Sequence, residues 1–277
     1  MRVQQGIQNA EFVEWLKDLS YNTKWYGQIT FPPFIRTITD ISGLCNHVYP
    51  TEVLQCAHLQ HDLFRHRVIL APHNDKVLEF NTLLIGHLLS DLHVFNSEDS
   101  ADVNDTESGT DYLAIEYLHS LNPPSLPPSV LHLRVGAPII LLRNLDPKRG
   151  LCNGTRLAIT KLGVRCIEAV VLSGEFSGIS TLLPRISLSS TPGDLPFILT
   201  RKQFPIQLSF AMTINKSQGQ SLDIVGIDLR VSVFSHGQLY VALSRTTNVS
   251  NMCVLLPEHG LHTINIVYPE VLLNQID

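Results

Sequence analysis

The chain has 277 residues, 44% of them hydrophobic and 7% aromatic, enough to bury a sizeable core in one or two domains. No apolar run approaches the ~18–20 residues that cross a bilayer, and no hydrophobic signal region follows Met1-Arg2, so neither a membrane nor secretion is expected. Five cysteines (45, 56, 152, 166 and 253) are odd in number and scattered, which speaks for reduced thiols rather than a disulfide framework. The net charge of −5 is unevenly spread. Residues 1–76 balance at seven Lys/Arg and seven Asp/Glu, Val77–Leu133 hold nine acids and no base, and Arg134–Asp277 hold thirteen bases against nine acids. The acidic middle reads as a solvated loop, and the mildly basic end is by itself a weak sign of phosphate contact.

In chain order, Asn9 can cap a helix whose apolar face is Phe12, Trp15, Leu16 and Leu19. Thr51 can cap a second helix with Val53, Leu54 and Ala57. Arg67–Ala71 reads as a buried strand stopped by Pro72, and Asn74 or Asp75 starts a helix with Val77, Phe80, Leu84 and Leu88 inward. Strand, turn and capped helix is the pattern of a mostly parallel sheet. Residues 97–129, acidic and then rich in proline, read as a linker. Beyond them, Ala137–Leu142, Arg156–Thr160, Val164–Leu172 and Ile179–Leu183 are short strand candidates without helices between them, and Asn153-Gly154 is a hairpin signal. Alternation of strand and helix returns with the strand Gln207–Met212, a helix near Lys216, the strand Ile224–Leu229, the helix His236–Ser244 and the strand Met252–Leu256. The expected fold is therefore an α/β domain interrupted by a β insertion.

Two segments carry chemistry. Ala211-Met-Thr-Ile-Asn-Lys-Ser-Gln-Gly-Gln-Ser-Leu-Asp223 runs from an apolar strand into Thr213, Asn215, Lys216, Ser217, Gln218 and Gly219. Small hydroxyls and amides, one lysine and a glycine that frees the backbone can form a phosphate-binding turn. Alone, such a segment is more often an ordinary polar turn. Ser235-His-Gly-Gln-Leu-Tyr-Val-Ala-Leu-Ser-Arg245 places Gln238, Tyr240 and Arg245 on a helix whose other face is apolar. A lone terminal arginine usually pairs with the helix dipole; it matters more as a planar cation reaching a transferring phosphate. No Gly-Lys-Ser/Thr phosphate loop occurs, and the dipeptide Gly-Lys is absent.

Together, and with Met1-Arg2-Val3, Phe64–Val77 with Asn81, Leu133–Asp146 and Leu151–Leu157, these segments closely resemble the C-terminal half of Pif-type (petite integration frequency) ATP-dependent DNA helicases, especially the branch encoded by Helitron transposons. The resemblance implies a RecA-like parallel-sheet domain over 1–125 and 203–277, interrupted by a small β-barrel of Src-homology type over 130–202. It implies ATP with Mg as cofactors, single-stranded DNA as partner and 5′-to-3′ unwinding. In that family, ATP lies between two RecA-like domains. The resemblance makes Arg245 the γ-phosphate arginine and Arg2 a second arginine aimed at the same phosphate, so these two are the catalytic candidates. Gly219, Gln238 and Arg245 are the nucleotide-binding candidates. Asn74, Thr213, Asn215, Lys216, Ser217 and Gln218 are candidates for single-strand contact. The phosphate loop and acidic motif would come from a separate N-terminal motor half, so hydrolysis by this chain alone is not expected. A nuclear location follows from the resemblance, with mitochondrion and cytoplasm as alternatives. The rival function is a non-catalytic single-strand-binding or decoy module, against which stands the sparse aromatic content. Asp228, ending an apolar strand, reads as structural. Cys45, His47, Cys56, His58 and His61 crowd together but fit no common zinc spacing, so no metal site is expected.

Overall fold

The computed structural model describes residues 6–102, 114–123, 125–260, 262–268 and 270. They divide into two compact units: Met1–Leu54, Leu63–His87 and Phe210–Asp277 form the first, Gln55–Asp62 and Leu88–Ser209 the second. No helix among the described residues is long and apolar enough to cross a membrane.

The first unit is built on a five-stranded sheet in the order Ala211–Thr213, Arg67–Ala71, Ile224–Asp228, Met252–Leu255, Arg36–Ile38. Every neighbouring pair is parallel. Val68, Ile69, Leu70 and Ala71 are fully buried, as are Met252 to Leu255, which is how strands covered on both faces read. The helix Asn74–Ile85 buries Val77, Phe80, Asn81, Leu84 and Ile85. Its Asn81 both donates to the Ala211 carbonyl (3.2 Å) and accepts from the Ala211 N–H (2.9 Å), partnering the backbone of an edge strand. The helix Ile41–Val48, capped by Asp40, lies so close over Gly226 that a Cβ there would meet Val48 at 2.8 Å.

The helix Ile7–Tyr21 buries Phe12, Trp15, Leu16 and Leu19. Asn9 is not its cap: the helix begins two residues earlier, and Asn9 is buried and accepts the Val249 N–H at 3.0 Å. A better use of its amide, satisfying a loop from the far end of the chain, outweighs capping. The turn after Thr213 is a single 3₁₀ turn, Ile214–Ser217, rather than the helix expected near Lys216. The run Gln207–Met212 is two strands and not one. Ile206–Leu208 pairs antiparallel with Pro138–Leu141 in the second unit, and Ala211–Thr213 joins the parallel sheet of the first.

The second unit holds a five-stranded antiparallel sheet, ordered Ser180–Pro184, Cys166–Val171, Arg156–Leu162, Pro138–Leu141, Ile206–Leu208. A three-stranded sheet, Ile186–Ser189, Ile198–Gln203, Glu98–Asp102, and the pair His93–Asn96 with Val130–Leu133 complete it. The acidic stretch is thus not all solvated linker. Glu98–Asp102 is a paired strand, and Ile115–Ser120 is a helix. The cause is Arg201. Its guanidinium, like the Asp99 carboxylate, is fully buried; it binds Asp99 from Nε (3.0 Å) and Nη2 (2.6 Å) and also donates to the carbonyls of Leu118, Leu121 and Pro127. Charge at Asp99 is therefore matched inside the fold rather than by water. Asp105, Glu107 and Asp111 lie outside the described residues.

Candidate nucleotide and single-strand site

In open parallel sheets, ligands collect beyond the carboxyl ends of the strands. In the first unit, those ends lead to Pro72-His73-Asn74, to Ile214–Gln218 and to the loop after Asp228. The turn after Thr213 is fixed internally: Ser217 is fully buried and donates its hydroxyl to the Ile214 carbonyl at 2.7 Å. Asn215 and Gln218 are exposed, Thr213 and Lys216 half-buried. Gly219 ends the turn at φ +83° with open space around it, so the backbone conformation, not crowding, calls for glycine. The Lys216 ammonium has no hydrogen-bond or ion-pair partner among the described residues, and burial pushes its pKa below the usual lysine value. Asn74 is exposed at the first position of its helix.

Gln238, only 2% exposed, begins the helix Gln238–Leu243. Its amide accepts the Phe234 N–H (3.1 Å) and donates to the Asn215 Oδ1 (3.4 Å), so it ties the loop after Asp228 to the Lys216 turn. Arg245 lies just past the other end of this helix. It donates from Nε to the Val241 carbonyl (2.9 Å), from Nη1 to the carbonyls of Gln220 (3.1 Å) and Ser217 (3.5 Å), and from Nη2 to the Ser244 hydroxyl (2.9 Å). No carboxylate pairs with it among the described residues. Burial pulls its pKa below the usual arginine value, with Tyr240 opposing. Beside it opens a pocket of about 190 Å³ lined by Gln220, Ser221, Tyr240, Ser244, Arg245, Thr246 and Thr247.

A half-buried cation facing hydroxyl groups, held by neutral acceptors, is suited to an anion with several oxygens. The same cannot be said for a metal. Among the described residues, no group of three or more His, Cys, Asp or Glu could hold one. Cys45 and Cys253 are buried thiols whose pKa burial raises to about 11, and His47 meets the Asn251 carbonyl at 3.1 Å. Asp228 is fully buried and accepts from Arg230 at Nε (2.9 Å) and Nη2 (2.8 Å), while Arg230 also grips Glu79 (3.0 and 3.1 Å). Both carboxylates are thereby committed to Arg230, whose pKa they raise and which holds Glu79 below its usual range. Arg2 lies outside the described residues.

The structure thus brings Asn74, Thr213, Asn215, Lys216, Gln218 and Gln238 to one sheet edge and sets Arg245 at a pocket of its own. The sequence reading missed the Glu79–Arg230–Asp228 ion cluster and a ring pair, His73 and Phe234, whose centroids are 4.8 Å apart. Only the Asp-Leu-Arg at the end of an apolar strand hinted at the first.

A family model for the 2B domain of the DNA helicase Pif1 matches residues 116–162. The chain is 35% identical over 189 residues to the ATP-dependent DNA helicase PIF1 of Rattus norvegicus and 33% identical over 189 residues to that of Homo sapiens. Each alignment takes in 67% of this chain, and the chain spans only 27% and 26% of those proteins. Among solved structures, Pif1 helicase from Candida albicans superposes with a TM-score of 0.61 at 21% identity, covering 96% of this chain and 57% of that one. Pif1 helicase from Bacteroides in complex with ADP-AlF3 and ssDNA gives 0.60 at 19% identity, covering 99% and 54%. At such identities the likeness shows the fold alone, that of the Pif1 helicases, which is of the RecA-like α/β type.

Proposed function

We propose that this chain, a relative of the Pif1 DNA helicases over their C-terminal portion, supplies the arginine-bearing half of an ATP site and part of a single-stranded DNA groove. The observation that carries the reading is Arg245. A half-buried guanidinium bonded, among the described residues, to carbonyls and a hydroxyl and to no carboxylate leaves its charge unmatched, and a nucleotide phosphate in the adjoining pocket supplies the match. The relatives are ATP-dependent helicases, and one neighbour holds ADP-AlF3 with ssDNA.

In this reading, residues 1–125 and 203–277 are the second RecA-like motor domain and residues 130–202 the inserted barrel of Src-homology type. Arg245 and Arg2 reach the γ-phosphate. Gly219 lets the backbone turn beside it, and Gln238 braces the turn from within. Thr213, Asn215, Lys216, Gln218 and Asn74 contact the sugar–phosphate backbone of the strand, with Ser217 locking their turn. ATP brings the scissile phosphate. In this reading a separate N-terminal motor half supplies the phosphate loop and the carboxylates that hold Mg; Asp228 and Glu79, both paired with Arg230, are not counted among them. The DNA role supports a nuclear or mitochondrial location.

The test uses the purified 277-residue chain. It is expected to show no Mg-dependent ATP hydrolysis and to bind unrelated single-stranded oligonucleotides with equal affinity. Binding should fall steeply with salt, as counterion release dictates, and Lys216→Ala should weaken it uniformly across sequences. Strong preference for one sequence at fixed salt, or ATP turnover abolished by Arg245→Ala in the lone chain, would contradict the reading.

A further inference from the structure

Phe234 lies in the loop that follows the strand Ile224–Asp228, on the same sheet edge as Asn74 and the Lys216 turn. It is 53% exposed. A single exposed apolar side chain is ordinary, but this one is held in place. Its ring packs against His73 at 4.8 Å and 34°, and its N–H is fixed by the buried Gln238 amide, whose other end holds Asn215. The loop is fastened again two residues on, where His236 stacks on Tyr268 at 5.5 Å and accepts the Tyr268 N–H at 2.8 Å. One side of the Phe234 ring is thus backed by an imidazole, and the exposed remainder faces solvent. On the chain positions adjoining this assembly stand Asn74, exposed, next to His73, and Lys216, without an anionic partner among the described residues, next to Asn215.

We infer that Phe234, backed by His73, is a stacking platform for one nucleobase of a bound single strand. This rests on the strand-binding reading above and deepens it. Proteins that hold single strands without reading sequence combine cations and amides for the backbone with an aromatic face for a base. Here the two parts meet on one edge, joined through Gln238. Because every base has a π-face, the platform accepts any base and leaves affinity independent of sequence.

The experiment measures binding of the 277-residue chain to single-stranded oligonucleotides carrying 2-aminopurine at successive positions, by anisotropy and by 2-aminopurine emission. One position is expected to be quenched on binding. Phe234→Ala should abolish that quenching and weaken binding roughly 5- to 150-fold, the range set by one lost base stack. Phe234→Leu, apolar but without a π-face, should behave like Phe234→Ala, and Phe234→Tyr like the parent. Melting temperatures report that the variants remain folded. If Lys216→Ala weakens binding while Phe234→Ala matches the parent in affinity and quenching, the platform is wrong and the groove stands. If the parent itself binds no single strand, both are overturned.

Discussion

At the scale of single residues, the site is marked by two half-buried cations, Lys216 and Arg245, that no carboxylate among the described residues neutralises. Lys216 has no partner among the described residues, and burial depresses its pKa; Arg245 is held by carbonyls. Structural charges in the same unit behave otherwise: Arg230 takes two carboxylates at once. Unmatched burial costs stability, so its persistence fits a binding role. For Lys216 the sign follows from linkage. The unfolded chain holds this proton more tightly than the folded one, so stability rises with pH between the depressed folded value and the ordinary lysine value near 10.5. Lys216→Met, which removes the ammonium but keeps the apolar stem, is expected to melt higher than the parent at neutral pH. The gap should narrow as pH approaches that upper value, and thermal melts of both proteins across this range check it. A variant that is less stable than the parent at neutral pH would show that the ammonium is not a burden.

At the scale of elements, legibility followed burial pattern. Arg67–Ala71, Ile224–Asp228 and Met252–Leu255 are apolar runs flanked by turn residues, and the structure places strands there. The segment Thr213–Gly219 was legible as a polar turn following an apolar strand, because its residue types sit consecutively, but the helix expected near Lys216 is a single 3₁₀ turn. Features made by pairing distant positions were not legible. Helix Ile41–Val48 is short and contains Gly43. The platform of His73 and Phe234 joins two loops that no local pattern connects. Glu98–Asp102 looks like loop because its acids lack local partners, and its strand depends on Arg201, far along the chain. Breaking a fully buried ion pair from one side typically costs about 3–5 kcal/mol, since the remaining charge is stranded. Asp99→Ala is therefore expected to destabilise the Leu88–Ser209 unit by about that much, read from chemical denaturation. A loss under about 1 kcal/mol, the worth of an exposed pair, would show that the strand is held by other contacts.

At the scale of the whole molecule, one unit carries a parallel sheet with the candidate site, and the other carries antiparallel sheets whose segment 116–162 matches the 2B domain of Pif1. Phe210 starts the return to the first unit directly after Ser209, so the strand that leads to Lys216 follows the β insertion without a linker. The chain spans about a quarter of the PIF1 proteins it matches, 27% and 26%, and the proposed activity belongs to the assembly of this half with a phosphate-loop half. The most direct test restores that partner half, in cis or in trans, and compares the parent with Arg245→Lys by single-turnover ATP hydrolysis and by melting temperature on the same samples. Lysine keeps the charge and loses the planar fork. The account predicts a loss of roughly 10³- to 10⁵-fold in hydrolysis, as for other arginines supplied across a domain boundary, with melting temperature and single-strand binding close to those of the parent. Hydrolysis within a few-fold of the parent, together with a small drop in melting temperature, would reduce Arg245 to a helix-terminal charge and contradict the account.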